Sequence, residues 1–186
     1  MSGQETGMLV WLTERVGPLG AGLYAGVLCL VVLTVAGIVG LGLHEPWLFP
    51  SLGPTAMMFF ETPQAKAARP LDTLVGHGVA LVVGIAMFFA FGLEGLPFAP
   101  GGSLTLGHVL AGALSVAVTT LILSCVKLPH PPAGATTLIV SLGILRGFTA
   151  WGTMAAAIVL LTVMGWGLNI LLHEHPSPRT EAAMKR

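Results

Sequence analysis

Charge is scarce in this chain. Only 9% of its 186 residues are Asp, Glu, Lys or Arg, against about 25% in a soluble domain. An ordinary water-facing surface cannot be built from it, which excludes a typical cytosolic enzyme. The 8 basic residues balance 8 acidic ones, with no basic run before the last few residues; a nucleic-acid binder is excluded. Cysteine is nearly missing. Cys29 and Cys125 stand alone within apolar runs, so neither a disulfide framework nor a structural zinc is expected. P-loop, HExxH and GxSxG patterns are missing too, and with them the usual signs of an ATP site or a hydrolase.

What the chain has is apolar bulk: 54% hydrophobic residues, 25 glycines and 13 prolines, with a mean hydropathy of +0.88. The class this implies is a polytopic all-α membrane protein. Glu5 and Glu14 near the start do not suit a signal peptide. Four uncharged runs, 18–43, 73–93, 104–126 and 147–172, reach the roughly 20 residues a membrane helix needs. No carboxylate falls inside them. Residues 1–17 are too polar to cross and are expected to lie at the interface; 94–103 form a linker and 173–186 a cytoplasmic tail.

Two further stretches, 46–60 (PWLFPSLGPTAMMFF) and 128–145 (LPHPPAGATTLIVSLGIL), open with proline and glycine and close as helix formers. Proline breaks a helix interior but suits a first turn. Each therefore reads as an extended entry followed by a helix of about ten residues, some 15 Å long, beginning near mid-membrane. Pro50, Pro54, Pro131 and Pro132 are the structural markers of these entries.

A shift of 81 residues superimposes the halves without a gap: Pro50, Gly53 and Thr55 fall on Pro131, Gly134 and Thr136, and Gly84 falls on Gly165. Residues 18–93 and 104–172 thus read as two repeats of helix, broken helix and helix. If the broken segments cross, with both termini in the cytoplasm, seven of the eight Lys and Arg lie inside and only Arg146 outside; if they turn back, the division is four to four. The positive-inside rule favours crossing, which makes the repeats inverted, a plan used by secondary transporters.

The first N–H groups of a half-helix have no partner within it and carry partial positive charge. Two such termini converging near Gly53 and Gly134, with hydroxyls from Ser51, Thr55, Thr136 and Thr137, would form a donor-rich pocket for a small anion. The repeat breaks where Phe49 corresponds to His130; an imidazole at that depth can donate to an anion or carry a proton, or donate to a backbone carbonyl freed by the prolines. His77 and His108 read as cap or interface positions, with a proton path as the functional alternative. Asn169 reads as an interhelical hydrogen bond. No catalytic residue, metal or cofactor is expected.

The run His130-Pro131-Pro132-Ala133-Gly134-Ala135-Thr136 resembles the signature of the HPP family of integral membrane proteins. Ser51-Leu52-Gly53-Pro54-Thr55-Ala56, then Pro63, Ala68-Arg69-Pro70 and Gly76-His77, resemble the same family in order, with Pro54 where alanine is usual. The resemblance implies transport of nitrite or a similar small anion, and a family description of four membrane helices against the six passes read from charge. The expected function is a channel or secondary transporter for a small inorganic anion; formate, bicarbonate, nitrous acid or a purely structural role are the alternatives. One chain is thin for enclosing a path, so a homo-oligomer in a bacterial inner membrane is expected.

Overall fold

The computed structural model describes residues 7–98 and 102–174. Among them are seven α-helices and no strand: α1 (Met8–Val16), α2 (Pro18–Leu43), α3 (Leu52–Glu61), α4 (Pro70–Ala90), α5 (Leu106–Cys125), α6 (Ala133–Ser141) and α7 (Phe148–Leu171). Only α2, α4, α5 and α7 are long and apolar enough to cross a membrane, and α3 and α6 are the two short helices of the broken stretches.

Prolines act as expected. Pro18 and Pro70 open α2 and α4 in the first turn. Pro54 lies in the first turn of α3, and Pro131 and Pro132 directly precede α6. α4 starts three residues before the expected 73, and Asp72 therefore lies within a long helix, buried in its first turn. The expectation of no carboxylate inside these helices is corrected. A carboxylate there is favoured by the helix dipole, with Lys66 and Arg69 supplying compensating charge. The interfacial reading of 1–17 falls partly on α1, which packs on α2 and exposes Met8, Val10 and Trp11. Residues 1–6, 99–101 of the linker and 175–186 of the tail lie outside the described residues.

The principal packing pairs are unchanged when the halves are exchanged. α2 packs on α3 as α5 packs on α6; α4 packs on α6 as α7 packs on α3; α4 packs on α5 as α7 packs on α2; and α4 meets α7. α3 and α6 start 81 residues apart, at Leu52 and Ala133, and α4 and α7 end 81 apart, at Ala90 and Leu171. Two glycines carry the cross-contacts. A Cβ on Gly84 would lie 2.9 Å from Val140 Cβ, and one on Gly165 would lie 2.9 Å from Phe59 Cδ2; Phe59 and Val140 are themselves 81 residues apart. Each half-helix thus seats on a glycine of the other half. At Gly22, Gly26 and Gly167, by contrast, a built Cβ would meet nothing within 4 Å.

The register shows how the broken segments run. Lys66, just before α4, donates to the Lys127 carbonyl. Thr136 bonds His77, Val140 sits on Gly84, and Arg146 lies over the Phe88 ring at 5.4 Å. Residues 127–146 therefore follow α4 from its first turn to its last, about 30 Å. Residues 44–61 likewise pass from the last turns of α2, where Gly40 abuts Glu45 and Trp47, to a groove that Glu61 shares with Ala21 and Gly22. Beyond it Gln64 donates to the Glu174 carbonyl at 2.6 Å. Both segments run from one end of the bundle to the other. The first face holds the starts of α2 and α4 and the ends of α5 and α7; the second holds Arg146.

Candidate functional site

The fourth residues of α3 and α6, Thr55 and Thr136, meet on one imidazole. Thr55 Oγ1 lies 2.9 Å from His77 Nε2, and Thr136 Oγ1 lies 2.7 Å from His77 Nδ1. His130 completes the cluster: its Nε2 is 3.1 Å from His77 Nε2, and its Nδ1 is 2.9 Å from the Ala67 carbonyl. All four side chains are buried, none more than 2% exposed.

Gly76 makes the histidine contact fit, since a Cβ there would stand 2.6 Å from His130 Cβ. The rings meet edge to face with centroids 4.8 Å apart.

For neutral rings the proton positions follow from the partners. A carbonyl only accepts, so His130 Nδ1 carries a proton and donates to Ala67. His130 Nε2 is then an acceptor, and His77 Nε2–H donates to it. His77 Nδ1 in turn accepts from the Thr136 hydroxyl, while Thr55 Oγ1 donates to the Ser51 carbonyl at 2.8 Å. Every ring nitrogen has a partner without an ion being present. A chain of this kind can move a proton by reversing its donors and acceptors.

Beside the cluster lies a pocket of about 310 Å³ lined by Thr119, Thr120, Ser124, His130, Pro131 and Gly134, among others. Two of its lining residues, Ser124 and Pro129, flank in sequence the turn of Lys127, whose carbonyl holds the Lys66 ammonium group. A Cβ on Gly53 or Gly134 would meet nothing within 4 Å, so the backbone of both half-helix starts borders open space, as the two glycines implied.

Three expectations need correction. The half-helix starts are not free donors: Ala133, Gly134 and Ala135 N–H bond back to the carbonyls of His130, Pro131 and Pro132 at 3.0 to 3.1 Å, and Leu52 N–H bonds Phe49. The proline entries close tight turns that use these groups internally. Thr137 does not join the cluster; it turns to α5, 3.4 Å from Thr119 Oγ1, because it lies next to Thr136 on the helix and so faces elsewhere. His77 is neither cap nor interface residue, since it lies eight positions into α4 and 1% exposed.

His108 does cap α5, in a reciprocal box with Thr105, far from the cluster. Among the described residues the Ser51 hydroxyl is buried without a partner, and it is the Ser51 carbonyl that touches the site. Asn169 bonds across helices to the Phe59 carbonyl at 2.9 Å. His77 could have been found from the row Thr73, Gly76, His77, Ala80 and Gly84, whose helical spacing marks one small and polar buried face of α4.

No curated protein and no solved structure matches the chain. The family model described as "HPP, transmembrane region" matches residues 14–178. That match spans both half-helices, the buried His77–His130 pair and all four long apolar helices, and the chain belongs to the HPP family of integral membrane proteins.

Proposed function

We propose that this protein is a channel or secondary transporter for a small inorganic anion, nitrite first, and not an enzyme. The observation that carries the reading is the buried pair His77–His130, held between hydroxyls from the two half-helix starts and open to a pocket beside Lys66 and Lys127. An intramembrane ionisable pair is costly unless it is used. An anion drawn to the cationic mouth enters the pocket, where Thr119, Thr120 and Ser124 offer hydroxyl donors.

A proton arriving with it goes to His130 Nε2, the acceptor of the neutral network. The imidazolium then donates from both nitrogens, to Ala67 and to the anion, and its bond from His77 is released. Moved together, anion and proton cross without net charge, which lowers the cost of leaving water.

In this reading the first face, with Arg15, Lys66, Arg69 and Lys127 against Arg146 on the second, is cytoplasmic, and both termini lie there. The chain works as a homo-oligomer, for which α2 is the least covered long helix and carries the open Gly22 and Gly26.

Uptake into sealed proteoliposomes tests the reading. Saturable nitrite entry above that of empty liposomes is expected, with formate, bicarbonate and chloride as competitors that rank selectivity. Entry of none of the four above background would leave a structural role as the better account.

A further inference from the structure

The two halves serve as controls for one another. The seams α2–α3 and α5–α6 occupy equivalent places, yet only the second is polar inside. The buried face of α5 carries His108, Ser115 and Thr119, and α6 presents Thr137 and Ser141 to it. Ser115 Oγ donates to the Gly112 carbonyl at 2.8 Å and lies 3.0 Å from Ser141 Oγ, and Thr119 approaches Thr137 at 3.4 Å. At the positions 81 residues earlier stand Val27, Thr34, Ile38, Ala56 and Phe60. Of these, Ala56 and Phe60 are buried and Thr34 is exposed. The same helix contact is thus made once with hydroxyls and once without them. Packing alone does not call for buried polar groups here, since each buried hydroxyl must find a hydrogen-bond partner that an apolar side chain would not need.

The seam has polar groups at both ends. On the first face it meets the pocket at Thr119, Thr120, Ser124 and His130. Toward the second it reaches His108, which is 1% exposed. His108 Nδ1 accepts from the Thr105 N–H at 3.3 Å, so the neutral ring carries its proton on Nε2. Among the described residues that nitrogen is buried without a partner. A buried donor of this kind calls for a water or another acceptor beyond the described residues. From Ser124 to His108 the row extends about 24 Å along α5, most of a bilayer's hydrocarbon thickness.

We propose that the α5–α6 seam is the path by which the solute crosses: a hydroxyl-lined route for a small anion and its water, with His108 as the donor near the second face, while the α2–α3 seam stays dry. This rests on the transport reading above and adds the route.

Single thiols test it in a Cys29→Ala, Cys125→Ala protein reconstituted into liposomes. Ser115→Cys and Thr137→Cys lie in the seam, and Ala56→Cys is the buried mirror of Thr137. A small charged methanethiosulfonate needs water and a thiolate to react, so the seam positions are expected to be modified at least about tenfold faster than Ala56→Cys. Ser141→Cys replaces either seam variant if it fails to elute as a single folded species. Equally slow modification at all positions overturns the proposal. Labelling does not depend on the solute carried. A labelled seam in a protein that moves no nitrite supports the route and removes the anion. Nitrite uptake with an unlabelled seam keeps the anion and overturns the route.

Discussion

A neutral imidazole has one donor and one acceptor, and at His77 both are engaged. Removing one partner leaves a buried nitrogen unpaired, at a cost of about 1–3 kcal/mol. Thr136→Val, which keeps the side-chain shape, is expected to lower stability by that amount, whereas Thr136→Ser retains the donor and stays close to wild type. Thermal unfolding in detergent reads the difference; equal shifts in both variants would mean that the hydroxyl is not bonded to His77. Thr55 and Thr136 were legible in the sequence because a single offset pairs them. His130 was legible because it breaks that offset beside two prolines. The meeting of these residues on His77 was not, since position 77 has no polar counterpart: the residue 81 further on is Ile158. Nor could the sequence show that the amides of Ala133, Gly134 and Ala135 turn back on their own entry, because that depends on how tightly the proline turn closes.

Glycine at the element crossings decides how near the half-helices come. On Gly84 a new Cβ would press on Val140 and on the Thr137 carbonyl, 3.0 Å away, and on Gly165 it would press on Phe59. Gly84→Ala and Gly165→Ala are each expected to destabilise by about 1–3 kcal/mol through overpacking. Gly78, on α4 but with open space around it, is expected to gain about 0.5–1 kcal/mol on substitution by Ala from reduced backbone entropy. Unfolding midpoints compare the three, and a Gly84→Ala protein as stable as Gly78→Ala would contradict the crossing. Both broken helices were foreseen from proline and glycine punctuation. The start of α4 was not, because a charge at position 72 read as a stop, although an acidic residue suits a first turn.

Across the whole molecule, six segments run between two faces of unequal charge. Four long apolar helices are the candidate membrane spans, and the two short helices with their extended entries run beside them from one end of the bundle to the other. The charge count favours six crossings, and the side-by-side course of residues 127–146 and α4 is a geometry that such a crossing needs. In the proposed orientation the cation-rich first face is cytoplasmic. A thiol at Glu61→Cys is expected to be shielded from an impermeant reagent added to intact cells, and one at Glu94→Cys to react. The reverse pattern would invert the protein in the membrane. Side-chain chemistry is unevenly divided: the polar seam, His108 and His130 belong to the second repeat, while the first gives His77 and Thr55 to the cluster and buries Ser51, Asp72 and Thr73 near it in sequence.

The most direct measurement is nitrite uptake into proteoliposomes with and without an imposed proton gradient, comparing wild type, His77→Ala and His130→Ala. The cluster's role predicts gradient-stimulated uptake in wild type that falls at least about a hundredfold in both variants, the low end of what loss of one proton-handling group gives, while both still insert and elute as folded protein. Uptake that survives intact in His77→Ala, with the same response to the gradient, would contradict it.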